Sequence, residues 1–192
     1  SLRDWSGDVA KAIEAVGGAP VVMVGQARGN RISRMLATDR PDLVRGVVLL
    51  AAGGKFPATA EAARNQSIFM NTSLPAEQRI AAARVAYFTP QFPPTPEDIM
   101  LDGISPDTVR AQAVDATPIS LDAWWSGGKA PMLVIQGLAD VIAPPANGRA
   151  LKTDYPDRVT LIELPDLGHA GYRVRPDIHA DTIVAFVRSL TN

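Results

Sequence analysis

The sequence contains no cysteine and only two histidines, His169 and His179. The lack of cysteine excludes disulfides, thiolate metal sites and cysteine nucleophiles. Because imidazole ligands are also scarce, a metal site would have to be built mainly from carboxylates. We therefore expect neither a metal ion nor another cofactor.

An excess of charge and long apolar runs are also lacking. The 192 residues carry a formal net charge of -1, with acidic and basic residues scattered singly. This pattern predicts binding to neither nucleic acid nor an anionic membrane surface. No apolar run approaches the roughly 18 to 20 residues that cross a bilayer, and residues 1–18 contain no apolar signal core. We expect a cytoplasmic location and no membrane role.

The sequence does contain an alternation of extended and helical patterns. Apolar residues make up 46% of the chain, enough for one substantial core. A helical pattern precedes Gly17, and the later segments alternate between strand and helix patterns: VVMVG, the stretch from Ala27 to about Thr38, VRGVVLLAAGG, PMLVIQG, PPANGRALKTDY, RVTLIELP and PDIHADTIVAFVRSL. Continuous apolar runs such as VVMVG are typical of strands buried on both faces. The alternation predicts an α/β fold with a mostly parallel sheet flanked by helices.

Residues 56–129 interrupt this alternation, because they contain no strong strand pattern. Alanine-rich pieces separated by prolines predict short helices there, among them AEAARNQSIFM, PAEQRIAAARVAYF and SPDTVRAQAV. We interpret 56–129 as an inserted helical cap between two core parts, 1–55 and 130–192.

Three loops contain residues whose types and order indicate a catalytic site. The segment GQARG, residues 25–29, lies between a predicted strand and a predicted helix and has the spacing of a nucleophile elbow, whose glycines permit a tight turn. Asp140 follows one later strand and His169 follows the next. Elbow, acid and histidine in this order resemble the α/β-hydrolase superfamily, and the resemblance covers nearly the whole chain. Each motif alone is weakly specific, whereas the ordered set is strongly so.

The resemblance implies a role for each loop. Asp140 would accept a hydrogen bond from His169, which would serve as general base and acid. The backbone N–H of Arg28 would be one oxyanion donor, and the second would come from a loop after an early strand that precedes Ser1. The nucleophile position holds Ala27, whose methyl group cannot attack a carbonyl, so covalent catalysis there is excluded.

The sequence leaves several explanations of Ala27 open. Alanine could replace a serine or an aspartate by design, or it could be native, as in bacterial members whose elbow residue varies. With native alanine, His169 and Asp140 could still activate water or abstract a proton. Otherwise the protein would be a non-catalytic ligand-binding or regulatory protein. An N-terminal nucleophile at Ser1 is a further alternative, for which the fold offers no base.

The motif residues also have other interpretations. Asp140 could simply end a strand and bond nearby backbone, and Asp166 is an alternative acid. His179 lies within the last helical pattern and is interpreted as a packed or solvated histidine. The elbow could also be a dinucleotide or phosphate loop, but it lacks the third glycine and the lysine of those motifs.

Large apolar side chains are concentrated in the predicted cap: Phe69, Met70, Tyr87, Phe88, Phe92, Met100, Trp124 and Trp125. Most should form the core of the cap itself, and one or two should face the active site. We take Gln26, Trp124 and Trp125 as candidate substrate contacts. The resemblance then implies a hydrolase acting on a small, uncharged, largely apolar ester, lactone or related carbonyl compound.

The strand VVMVG should be central in such a fold, yet the chain supplies only one neighbour for it. An open central strand would leave backbone groups unpaired along an apolar edge. We therefore expect a further segment on the order of a hundred residues, by analogy with the fold. It would either precede Ser1 or belong to a complementary chain.

Overall fold

The computed structural model describes residues 1–18, 20–99, 105–107 and 119–190. Four strands form one sheet in the order β1, β2, β3, β4, and every neighbouring pair is parallel. The predicted α/β fold is therefore confirmed. The strands are β1 Val21–Gln26, β2 Val44–Leu50, β3 Met132–Gly137 and β4 Val159–Leu164.

Helices precede, connect and follow the strands. Within the described ranges they are α1 Leu2–Val16, α2 Arg28–Asp39, α3 Ala60–Met70, α4 Ala76–Tyr87, α5 Ala146–Asp154, α6 Gly171–Val174 and α7 Pro176–Ser189, with 3-10 turns at Pro96–Asp98 and Leu121–Ala123. Helices α3 and α4 form where helices of the cap are predicted and pack against each other. Most of the predicted helix from Ser105 lies outside the described residues. The division into a cap and two core parts stays a prediction.

Alternation of side chains along β2 divides the core into two layers. Val47 and Leu49 belong to a cluster with buried residues of α1, α2 and α5. Val48 and Leu50 belong to a second cluster, against which Phe186 of α7 packs. Because successive side chains of a strand point to opposite faces, one apolar run supports helices on both sides of the sheet. Full burial of each such side chain contributes about 2 kcal/mol.

Strand β1 departs from the predicted burial on both faces. Val24 is 49% exposed, and Val21, Val22 and Met23 are only partly buried. The reason is the position of β1, which pairs only with β2 among the described residues and so forms an edge of the sheet. The expectation that a further segment covers this edge stays a prediction.

The parallel topology determines where the loops of interest meet. Ala27 follows β1, Asp140 lies just beyond β3, and His169 lies just beyond β4. The carboxyl ends of parallel strands share one edge of the sheet, where ligands of open α/β sheets bind. In the described part of the chain, none of the helices combines the length and the apolarity that crossing a membrane requires.

Candidate active site

The elbow has the backbone geometry of a strained turn. Ala27, between β1 and α2, adopts φ 50° and ψ −114°, a conformation that costs an L-residue on the order of 1–3 kcal/mol. A Cβ added to Gly25 would lie 2.5 Å from the backbone of Gly29, whereas one added to Gly29 would meet nothing within 4 Å. Only the first glycine of the elbow is therefore needed for the close approach of strand and helix.

The predicted acid is buried and held by several donors. One oxygen of Asp140, Oδ1, accepts from the backbone N–H groups of Ile142 at 2.9 Å and Ala143 at 2.8 Å. The other, Oδ2, accepts from Nε2 of Gln136 at 3.3 Å. Gln136 also donates to the carbonyl of Ala143 at 2.8 Å and accepts from the N–H of Ala52 at 3.1 Å. These bonds fix the orientation of the carboxylate relative to β2 and β3.

The predicted pairing of acid and histidine is present. Nδ1 of His169 lies 2.9 Å from Oδ2 and 3.2 Å from Oδ1 of Asp140. A carboxylate at Nδ1 favours the tautomer with its proton there, which leaves Nε2 as an acceptor. Nε2 is buried and has no hydrogen-bond partner among the residues that the structure describes. The side chain of His169 also lines a cavity, which Ala27 lines as well.

Helix α4 positions the histidine loop from the other side. The ring centroids of Tyr87 and His169 lie 5.5 Å apart. The backbone carbonyl of Tyr87 accepts a hydrogen bond from the N–H of Ala170 at 2.9 Å. Burial raises the pKa of Tyr87, whose hydroxyl accepts from Nε2 of Gln66 at 3.2 Å. The phenol is therefore neutral and packs against the imidazole without adding charge. The alternative acid, Asp166, is exposed, and the carboxylate bound to His169 is that of Asp140.

Two cavities lie at this edge of the sheet. The lining of the larger, about 520 Å³, includes Ala27, Arg28 and His169, together with Met70 of α3. The smaller, about 230 Å³, is also lined by Met70, together with the predicted substrate contact Gln26 and apolar cap side chains: Phe69, Tyr87, Phe88 and Ile99. The cavities are therefore neighbours, and Arg28, the predicted oxyanion residue, lies at the start of α2 beside Ala27.

The two tryptophans correct the sequence-based expectation of substrate contact. Trp124 and Trp125 are 5% and 3% exposed, belong to the core cluster, and line neither cavity. The indole N–H of Trp125 donates to Asp154 at 2.6 Å. Both residues belong to the segment interpreted as a cap, directly after the 3-10 turn at Leu121–Ala123. They nevertheless pack in the core cluster that includes β2 and β3. Met100 lies outside the described residues.

Sequence reasoning missed Arg34, which both tryptophans contact. Its guanidinium carbon lies 4.5 Å from the ring centroid of Trp124 and 5.1 Å from that of Trp125. Nη2 donates to Oδ1 of Asn30 at 2.8 Å and to the carbonyl of Gly53 at 2.6 Å. Burial lowers the pKa of Arg34 to about 9. Nothing in the helical pattern of α2 distinguishes this buried arginine from a solvated one.

Gln136 was also missed, although the sequence holds a signal for it. A polar side chain near the end of the otherwise apolar strand MLVIQG indicates a specific hydrogen-bonding task, because burying an unpaired amide is costly. Within the described ranges, no three side chains of His, Cys, Asp or Glu cluster so as to hold a metal ion.

No family model matches the chain. It is 26% identical over 209 residues to the "Putative non-heme bromoperoxidase BpoC" of Mycobacterium tuberculosis, covering 95% of this chain and 74% of that protein. The crystal structure of BpoC matches with a TM-score of 0.72 at 24% identity, covering 99% of this chain and 75% of that one.

Two further solved structures match comparably. A serine hydrolase of Cycloclasticus zankles, CCSP0084, has a TM-score of 0.77 at 17% identity over 98% of this chain and 71% of its own. Est816, an N-acyl homoserine lactone degrading enzyme, has a TM-score of 0.72 at 23% identity over 97% and 74%. The chain therefore has the α/β-hydrolase fold, and it spans 71–75% of the length of these matched structures.

Proposed function

We propose that this protein is a hydrolase of an ester-like bond in a small molecule, with a site that uses His169 and Asp140 without a covalent intermediate. One observation carries the proposal. Nε2 of His169 is buried, unpartnered among the described residues, and belongs to a side chain lining the same cavity as the strained Ala27. A buried acceptor without a partner is costly, so its position favours a role toward a bound molecule.

The reaction would proceed by direct attack of water. Asp140 would hold the imidazole of His169 in place, and Nε2 would take a proton from water as its oxygen attacks the carbonyl carbon. The backbone N–H of Arg28 would donate to the carbonyl oxygen as negative charge develops on it. His169 would then return the proton to the leaving oxygen. General-base catalysis of this kind contributes about 10²- to 10⁴-fold.

A non-catalytic ligand-binding protein is the second candidate. The observation that favours it is the methyl group of Ala27, since a hydrolase of this fold ordinarily attacks through a side chain at that position. Binding would then use the same cavity of about 520 Å³, and the pair of Asp140 and His169 would serve only to bind the ligand.

Restoring a nucleophile tests the proposal. Ala27→Ser should raise the hydrolysis of p-nitrophenyl acetate and butyrate by about a thousandfold or more, since removing such a serine from working enzymes costs about a millionfold. The double variant Ala27→Ser, His169→Gln is the matched control and should lose this gain. Stopped-flow measurement of a nitrophenol burst would reveal the acyl-enzyme that the unchanged protein does not form.

The unchanged protein provides the second measurement. Slow ester hydrolysis that His169→Gln abolishes would support water activation. If a correctly folded Ala27→Ser variant hydrolysed no ester in a broad panel, while the cavity still bound ester-like ligands, the binding-protein candidate would replace the hydrolase.

A further inference from the structure

The smaller cavity has a lining that suits an apolar group. Its volume of about 230 Å³ exceeds the roughly 150 Å³ of an apolar cavity that holds benzene, so a chain of about six carbons would fit. Its lining includes aliphatic and aromatic side chains of the predicted cap: Phe69, Met70, Ala83, Tyr87, Phe88 and Ile99. A chain bound there would be stabilised because both apolar surfaces are removed from water.

The charged side chains of this lining already have partners within the protein. Oδ2 of Asp98 accepts from the backbone N–H of Thr95 at 2.8 Å and from its hydroxyl at 3.0 Å. Nε of Arg173 donates to the hydroxyl of Tyr172 at 3.2 Å. Because both charged groups are engaged in this way, the apolar side chains decide what the smaller cavity binds.

The two cavities are lined by the same three stretches of the chain. At the elbow, Gln26 lines the smaller cavity and Ala27 lines the larger. In the histidine loop, Ala170 lines the smaller cavity and His169 lines the larger. Met70, the last residue of α3, lines both. A molecule in the larger cavity beside Ala27 and His169 is therefore next to the smaller cavity.

Hydrogen bonds and ring contacts hold the wall of the smaller cavity in place. Nε of the buried Arg79 donates to the carbonyl of Phe69 at 2.9 Å, which fixes the end of α3 next to Met70. The rings of Phe69 and Tyr87 meet edge to face, with centroids 5.2 Å apart, and Tyr87 also packs against His169. A wall held in this way before binding reduces the entropy lost when a ligand is bound.

Two residues of this wall control its size. Met70 is only partly buried, and methionine is unbranched with three rotatable bonds, so its side chain adapts to irregular space. Ala83 of α4 is buried and small, so a larger residue at this position would occupy part of the cavity. Met70 therefore limits passage between the cavities, and Ala83 limits the depth of the smaller one.

We propose that the smaller cavity binds an unbranched chain of about six carbons at one end of the substrate, while the ester-like carbonyl lies in the larger cavity beside Ala27 and His169. Met70 and Ala83 set the length of chain that is admitted. This inference rests on the proposed function, because it assigns the apolar part of the substrate of the same site. It gives the largely apolar ester expected from the sequence a position and a length limit.

Chain length tests the proposal in the unchanged protein without turnover. Isothermal titration would measure the binding of methyl butanoate, pentanoate, hexanoate and octanoate. Affinity should rise about fourfold with each added CH₂ as far as the hexanoate, since each buried CH₂ is stabilised by this factor. From the hexanoate to the octanoate it should rise less than about twofold, where continued burial would give about sixteenfold. Alkyl acetates of the same chain lengths would show whether the limit applies to the acyl or to the alcohol side of the ester.

Two variants should move this limit in opposite directions. Ala83→Leu should weaken the binding of methyl hexanoate by about tenfold, because the added carbons displace about two CH₂ groups of the ligand, and should leave that of methyl acetate unchanged. Met70→Ala should extend the rise in affinity to the octanoate. Ala81→Leu is the matched control, since it makes the same change on α4 at an exposed position outside the described linings of both cavities. Thermal melting would check folding, and misfolding cannot produce shifts in both directions.

The outcomes separate this inference from the proposed function. An undiminished rise in affinity from the hexanoate to the octanoate would overturn the inference, as would a limit that neither Met70→Ala nor Ala83→Leu moves, or a failure of every ester to bind. If Ala27→Ser hydrolysed esters while no length limit was measured, the hydrolase would stand and this inference would fail. If Ala27→Ser hydrolysed nothing but both variants moved the limit as expected, the chain-binding cavity would stand alone.

Discussion

The two sides of the cavity differ in how completely they are built. On the acid and histidine side, Asp140 follows a strand buried along its whole length and accepts hydrogen bonds from two backbone N–H groups and from Gln136. On the elbow side, Ala27 follows the half-exposed edge strand β1 and contributes only a methyl group in a strained conformation. The paired acid and histidine are therefore held by a full set of hydrogen bonds, whereas the elbow carries no nucleophilic side chain on its strained backbone.

The difference shows that the strained backbone of the elbow forms without a nucleophilic side chain at position 27. Its geometry comes from the close contact of Gly25 with Gly29 and from the pairing of β1 with β2, neither of which involves the side chain at 27. The hydrogen bonds of Asp140 likewise involve no atom of the elbow. Each side can therefore be altered while the other is kept intact.

The largest effect is expected on the acid side. In the Ala27→Ser background, Asp140→Asn should lower the rate of ester hydrolysis by about 10⁴-fold, because an amide at this place favours the wrong tautomer of His169. Initial rates with p-nitrophenyl esters would measure it. Asp166→Asn is the control: this exposed residue should change the rate less than about twofold. An equal loss in both variants would contradict the assignment of Asp140.

The elbow glycines should respond in opposite ways. Gly25→Ala should destabilise the protein by about 3 kcal/mol, because the new Cβ would lie 2.5 Å from backbone that cannot easily shift. Gly29→Ala meets open space within α2 and should stabilise it by up to about 1 kcal/mol. Urea unfolding of both variants would test this, and equal destabilisation would show that the elbow is not closely packed at Gly25.

Gln136 should matter for stability and for the acid together. Gln136→Leu leaves the N–H of Ala52 and the carbonyl of Ala143 without this partner, so we expect a loss of about 2 kcal/mol. Gln78→Leu, at an exposed position on α4, should change stability by less than about 0.5 kcal/mol. Chemical denaturation would compare them. A neutral effect of Gln136→Leu would mean that the two loops are held by other contacts.

The smallest effect concerns the second histidine. Burial lowers the pKa of His179 below its usual 6.5, although its Nδ1 donates to the carbonyl of Arg175 at 2.8 Å. Because the unfolded chain binds the proton more readily, stability should be full above about pH 6.5 and should fall as the pH drops through the lower folded value.

His179→Gln should remove this part of the acid sensitivity. Melting curves recorded between pH 7.5 and pH 5, a range chosen around the usual histidine value, would measure it as the difference between the two proteins. Asp177 and Arg175 lie nearby and influence the same pKa, so both should be kept unchanged in the comparison. Identical pH profiles of the two proteins would show that His179 does not contribute.

Much of the fold was predictable because its signals are local. The predicted helices AEAARNQSIFM and PAEQRIAAARVAYF appear as α3 and α4, and the apolar runs appear as the four strands. The pairing of Asp140 with His169 was also predictable, since parallel strands bring the loops after them to one edge. The prediction that β1 is buried on both faces was wrong. The burial of a strand depends on the elements that pack beside it and not only on its own composition.

The sequence by itself determined the alternation of elements, the order of elbow, acid and histidine, and the absence of a nucleophilic side chain at Ala27. These follow from residue type and spacing along the chain. Only the tertiary structure decided that Trp124 and Trp125 belong to the core, that Gln136 bonds Ala52 at a separation of 84 residues, and that Arg28 and Arg31 line the cavity. Such contacts depend on how distant elements pack in three dimensions, which periodicity along the chain does not encode.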